Sequence, residues 1–166
     1  MSQPRKTILF IEDQELHYEQ VAAYLRLHGY DCRRLSRAES REVGQKVTEL
    51  KPLAAILDFV LPSAAMPQAE VDRAATAHLQ GKPEPAADAD PQEKEQYGVD
   101  NIPLLRKLCP GIKILVYTQY ANRDEVSKQA ALYQADAGVP KRRDLDGNLL
   151  EHNAQEIAAK VRELIE

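Results

Sequence analysis

The apolar residues of this chain fall into short runs of two kinds. Thr7–Ile11 (TILFI), 54–57 (AAIL) and 112–117 (IKILVY) are near-continuous, as strands are when helices cover both faces of a parallel sheet. Two weaker β-prone segments, 31–35 (DCRRL) and 137–139 (AGV), fit edge strands. Between them the period changes to that of a helix. Over 15–28, Leu16, Val21, Tyr24 and Leu25 fall on one side, with Gly29 as a natural stop. Val43, Val47 and Leu50 recur over 39–50; Val126, Ala130 and Tyr133 over 123–134; Ile157, Val161, Leu164 and Ile165 over 153–165. In GVDNIPLLRKLCPG (98–111), Asn101 is placed to cap a helix that carries Pro103 in its first turn. Five strands alternating with helices predict an α/β doubly wound sheet.

One stretch breaks the pattern. From Ser63 to about residue 97 the chain turns to Ala, Pro and acids, with Pro67, Pro83, Pro85 and Pro91. Residues 68–80 fit a short helix closed by Gly81, and 82–96 an exposed loop. Residues 63–96 hold seven acids against three bases, which equals the whole formal net charge of −4 and leaves the rest of the chain neutral. At 166 residues the expectation is one domain over 1–166 interrupted by an insertion at about 63–97, with no second domain after Glu166. No basic face suggests nucleic acid or an anionic membrane, and no apolar run is long enough for a signal peptide or a membrane span. Cys32 and Cys109 have no metal or redox spacing and read as reduced thiols, so a cytoplasmic location is expected. His17, His28, His78 and His152 are scattered and read as surface or helix-face residues.

The chemistry lies where the apolar runs end. The first runs straight into Glu12 and Asp13, and the third into Asp58. In an open parallel sheet of order 2-1-3-4-5, function gathers at the carboxyl ends of the strands, in the crevice between strands 1 and 3. That rule aims all three acids at one pocket, joined by Thr118 after strand 4 and Lys141 after strand 5. Carboxylates about 4 Å apart repel by roughly 4 kcal/mol at an effective dielectric of 20, a penalty that a divalent cation removes. All-oxygen ligation through carboxylates suits Mg2+, and a carboxylate beside it can attack phosphorus to give an aspartyl phosphate. No glycine-rich phosphate loop or Ser-His-Asp pairing offers a rival chemistry.

An acidic pair after strand 1, Asp58 with Pro62 four residues on, Thr118 and Lys141 together resemble the receiver domain of two-component response regulators. The likeness covers residues 5–62 and 98–166. It implies a flavodoxin-like (βα)5 fold and a signalling phospho-acceptor rather than a conventional enzyme. Glu12 and Asp13 would ligate Mg2+ together with Asp58 and the Val60 carbonyl. Asp58 would be the phospho-acceptor, Thr118 a switch hydroxyl and Lys141 a phosphoryl contact. Implied partners are a sensor histidine kinase or histidine phosphotransfer protein and a downstream protein target. The family also pairs through the face of its last helices and strand, which leaves a homodimer open. The chain departs from the family in several places. Gly138 stands where an aromatic residue is usual, Pro140 precedes Lys141 where proline usually follows it, and Gln119 replaces a small residue. Val60 and Tyr120 stand where relatives carry groups that help place the hydrolytic water, so slow self-dephosphorylation is expected. The alternative is a degenerate receiver, a protein-interaction module that does not use phosphorylation.

Overall fold

The computed structural model describes residues 4–36, 39–58, 98–119 and 122–166. The insertion at about 63–97, with its expected helix and loop, lies outside them, as do Val60, Pro62, His78 and Tyr120.

Five parallel strands, β1 (Thr7–Ile11), β2 (Asp31–Leu35), β3 (Ala54–Asp58), β4 (Lys113–Thr118) and β5 (Ala137–Pro140), form one sheet of order β2-β1-β3-β4-β5. The helices are α1 (Glu15–Leu27), α2 (Ser40–Leu50), α3 (Ile102–Leu108), α4 (Arg123–Leu132) and α5 (Glu151–Ile165). The two weak segments are the edges, as expected of strands that need an apolar covering on fewer sides.

Alternation along each strand sorts the core into two layers. Ile8, Phe10, Ile56, Leu115, Tyr117 and Val139 meet Val21, Leu25, Ile157 and Val161 of α1 and α5. Leu9, Ile11, Leu57, Ile114 and Val116 meet Val43 and Val47 of α2 and Ile102 and Leu105 of α3. The continuous apolar runs were legible as strands because all of their residues but Lys113 are buried.

Two local expectations are corrected. In α1 the buried face is His17, Tyr18, Val21, Ala22 and Leu25, while Leu16 is 50% exposed. The stripe is thus rotated toward the polar His17, which has a buried partner, and away from Leu16. His17, read as a surface or helix-face residue, lies on the buried face of α1 with no exposure; His28 and His152 are exposed. Asn101 makes no side-chain cap on α3. It ends a 3-10 turn, Gly98–Asn101, and its helical backbone (φ −85°, ψ −7°) is not the extended conformation from which a cap side chain reaches back. Gly29 does stop α1, at φ +85°.

Candidate phospho-acceptor site

Strand parity carries Glu12, Asp58 and Lys141 to one side of the sheet, each two residues beyond a side chain of the α1/α5 layer: Phe10, Ile56 and Val139. Ligand oxygens of Glu12, Asp13 and Asp58 lie within 4.8 Å of one another. The Lys141 ammonium donates to Glu12 Oε2 at 2.7 Å, to Asp58 Oδ2 at 2.8 Å and to His17 Nδ1 at 3.3 Å. Its Nζ also stands 4.3 Å from the centroid of the Tyr117 ring, whose hydroxyl donates to Glu12 Oε2. The other Glu12 oxygen accepts the Gln14 backbone N–H at 2.9 Å. Thr118 is fully buried at the end of β4, in register with Pro140, and its carbonyl accepts the Lys141 N–H at 2.8 Å.

These contacts set the charges. Burial alone would raise the Glu12 carboxyl, but the Lys141 ammonium and hydrogen bonds from Asp13, Lys141 and Tyr117 outweigh it and bring the group down to about 2. Asp13 goes the other way, to about 7, through burial and the adjoining Glu12 carboxylate. Burial lifts Asp58 well above the usual carboxylate range, with Glu12 adding repulsion and Lys141 opposing. Lys141 resists the downward pull of burial because Asp58 and Glu12 face it, and its affinity for the proton is raised. Three carboxyl groups thus face one ammonium, with only oxygen donors on the acidic side. A hard divalent cation such as Mg2+ fits that donor set.

The backbone around Lys141 is held from α5. Asn153, fully buried, donates from Nδ2 to the Pro140 carbonyl at 2.9 Å and accepts the Arg142 N–H on Oδ1 at 2.8 Å. A proline at 142 could not supply that N–H, which gives a local reason for Arg142 following the lysine. On the opposite wall, Gly98 is packed so closely that a Cβ there would lie 2.1 Å from the Asp58 carbonyl oxygen. Gly98 thus stands directly against Asp58. At Gly138 a Cβ would lie 2.6 Å from the Val126 carbonyl oxygen, so α4 occupies the space that an aromatic side chain would need.

Sequence reasoning brought together Glu12, Asp13, Asp58 and Lys141, and the geometry joins them; Thr118 is placed at the adjoining strand end. It missed His17, Tyr117 and Asn153. His17 carried a readable signal, because 17, 21 and 25 are spaced as one helical stripe. Tyr117 and Asn153 look like ordinary core and helix residues in the sequence.

Solved structures share this architecture. A response regulator receiver domain protein (CheY-like) from Methanospirillum hungatei matches with TM-score 0.60 and 18% identity, over 97% of this chain and 94% of that one. The fold is that of a response regulator receiver domain. The BeF3-activated N-terminal receiver domain of Klebsiella pneumoniae RstA matches equally, with TM-score 0.60 and 18% identity over 96% of this chain and 98% of that one. A response regulator protein from Burkholderia pseudomallei, solved with a phosphorylated aspartic acid, calcium ion and citrate, is 21% identical with TM-score 0.53, over 95% of this chain and 74% of that one. No protein-family model and no curated protein matches the sequence. Among the described residues of this receiver fold, no helix is long and apolar enough to cross a membrane.

Proposed function

We propose that the protein is a phospho-accepting receiver, a single domain with an insertion at about 63–97, that takes a phosphoryl group on Asp58 in two-component signalling. The observation that carries this reading is the Lys141 ammonium bridging Glu12 and Asp58, with Asp13 alongside, at the carboxyl ends of β1, β3 and β5. Glu12, Asp13 and Asp58, with the Val60 carbonyl from outside the described residues, would hold Mg2+. When bound, the cation neutralises negative charge on the site and on the transferring group.

The protein's own groups account for the rest. An Asp58 carboxylate oxygen forms the new P–O bond as the donor's P–N bond (phosphohistidine) or P–O bond (acetyl phosphate) breaks. The leaving group takes the bonding pair: a phosphohistidine protonated on its other ring nitrogen leaves as neutral imidazole, and acetyl phosphate releases acetate. Lys141, already on Asp58, donates to a phosphoryl oxygen, and the Thr118 hydroxyl donates to another. Such chemistry is acceptance and slow release of one phosphoryl group, not turnover of a substrate. A sensor histidine kinase or phosphotransfer protein would be the donor, a further protein the target, and the cytoplasm the setting.

A second reading, a receiver fold used only for protein contacts, is favoured by one observation: α4 fills the space at Gly138, which removes the usual ring. Incubation with Mg2+ and acetyl phosphate separates the two. Phospho-acceptance predicts one added phosphoryl mass, lost with chelator and in Asp58→Asn. An unmodified, folded wild type would establish the second reading.

A further inference from the structure

We propose that His17 is a positioning residue that fixes the Lys141 ammonium beside Asp58 and ties it to the 143–149 loop. The inference rests on the phospho-acceptor reading of Asp58. A lysine ammonium has three N–H groups and accepts nothing. Glu12 and Asp58 take two of them, and His17 Nδ1, at 3.3 Å, takes the third. The other ring nitrogen, Nε2, lies 2.8 Å from the Gly147 carbonyl oxygen, which can only accept. One protonation state satisfies both neighbours: a neutral imidazole with its hydrogen on Nε2. Burial and the facing Lys141 charge both lower the affinity of the ring for a second proton, which agrees with that state.

The loop that His17 grips is a built structure. Arg143 and Leu149 form an antiparallel bridge, and Asp144 Oδ1 accepts the N–H groups of Asp146 and Asn148 at 2.9 and 3.0 Å. Gly147 turns the loop at φ +84°. One turn along α1 from His17, Gln20 pairs with both backbone groups of Leu149, each at 2.9 Å. A flexible four-carbon stem is thereby given three fixed acceptors, one of which is rigidly joined to a surface loop. When a phosphoryl group on Asp58 draws the ammonium, the hydrogen bond to His17 changes, and the loop beyond Gly147 responds. With no aromatic side chain at Gly138, this is a route from the site to the surface that the chain does possess.

Two variants separate the two ends of the ring. His17→Gln keeps a donor near the Nε2 position and removes the acceptor; His17→Asn keeps an acceptor near Nδ1 and releases Gly147. We expect the Gln variant to be phosphorylated by acetyl phosphate with Mg2+ about tenfold more slowly than wild type, the loss of one hydrogen bond to a charged group. The Asn variant should stay within about threefold of wild type, yet its Gly147 and Leu149 amide resonances should no longer shift on addition of beryllofluoride. In wild type, 15N shifts of the ring should report the neutral Nε2–H form at pH 7. A Gln variant that reacts as fast as a reactive wild type, or a ring with its hydrogen on Nδ1, overturns the proposal alone. A wild type inert to both reagents overturns the phospho-acceptor reading, and the coupling with it.

Discussion

Replacing Lys141 by methionine keeps the length and apolar stem of the side chain and deletes its charge. In the native protein the ammonium is 2% exposed and lies 2.7 Å from Glu12 and 2.8 Å from Asp58, themselves 0% and 10% exposed at the side chain. Without it, two buried carboxyl groups lose the one ammonium that faces both of them. Breaking a buried ion pair from one side costs about 3–5 kcal/mol, because the charge left in the interior has lost its counter-charge and does not regain water. Urea unfolding at pH 7 without divalent metal should therefore show Lys141→Met less stable by about that amount. The sign of the pH dependence follows. In the variant Glu12 loses the cation that holds its carboxyl down, and burial raises it, as burial already raises Asp58. A group whose folded pKa is raised binds protons more tightly when folded, so its contribution is present at low pH and lost as pH rises through the folded pKa. The gap between variant and wild type should narrow from pH 7 to 5, by up to about 1.4 kcal/mol per pH unit for each proton taken up. Millimolar Mg2+ should narrow it as well. A loss below about 1 kcal/mol, or one that ignores both pH and Mg2+, would refute the charge balance described for the site.

Other consequences are equally accessible. Asp13 holds its proton to about pH 7 in the metal-free protein, and a cation must displace it. Mg2+ affinity by calorimetry should thus rise by about tenfold per unit or more between pH 5 and 6.5, with protons released on binding; a flat profile would contradict this. Gly138→Ala puts a Cβ 2.6 Å from the Val126 carbonyl oxygen and should cost about 1–3 kcal/mol in thermal or urea unfolding, since a packed helix must move. Asn153→Leu strands the Pro140 carbonyl and the Arg142 N–H; a loss of about 1–3 kcal/mol is expected, together with slower phosphorylation because Lys141 is no longer fixed. Val60→Asn should speed phosphate release from the phosphorylated protein, measured by its decay after removal of acetyl phosphate; equal rates would dismiss the role given to Val60.

The sheet and its order were legible because burial on both faces leaves a mark on every residue of β1 and β3 and on β4 after Lys113. The acidic site was legible for a related reason. Glu12 and Asp58 each interrupt an apolar run at the strand end, where the topology directs function. What stayed hidden were polar residues that look apolar in pattern or apolar residues that act through one atom. His17 occupies a core position of α1, where Leu16 was the stronger candidate by side chain, and its two partners there are the Lys141 ammonium and the Gly147 carbonyl. Tyr117 belongs to β4 by every sequence measure, yet its hydroxyl helps hold Glu12 ionised. Asn101 failed as a cap because a 3-10 turn, not an extended residue, leads into α3. The misses at Tyr117 and His17 turned on partners distant in sequence, 105 residues for Tyr117 with Glu12 and 124 for Lys141 with His17.

The central claim is that Asp58, and no other residue, accepts a phosphoryl group beside a divalent cation. Borohydride reduces an aspartyl phosphate to homoserine, which peptide mass spectrometry locates. After acetyl phosphate and Mg2+, homoserine at position 58, absent when the metal is chelated, is the predicted result. Phosphate on a histidine or hydroxyl residue, or reduction at Glu12 or Asp13 instead, would contradict the account.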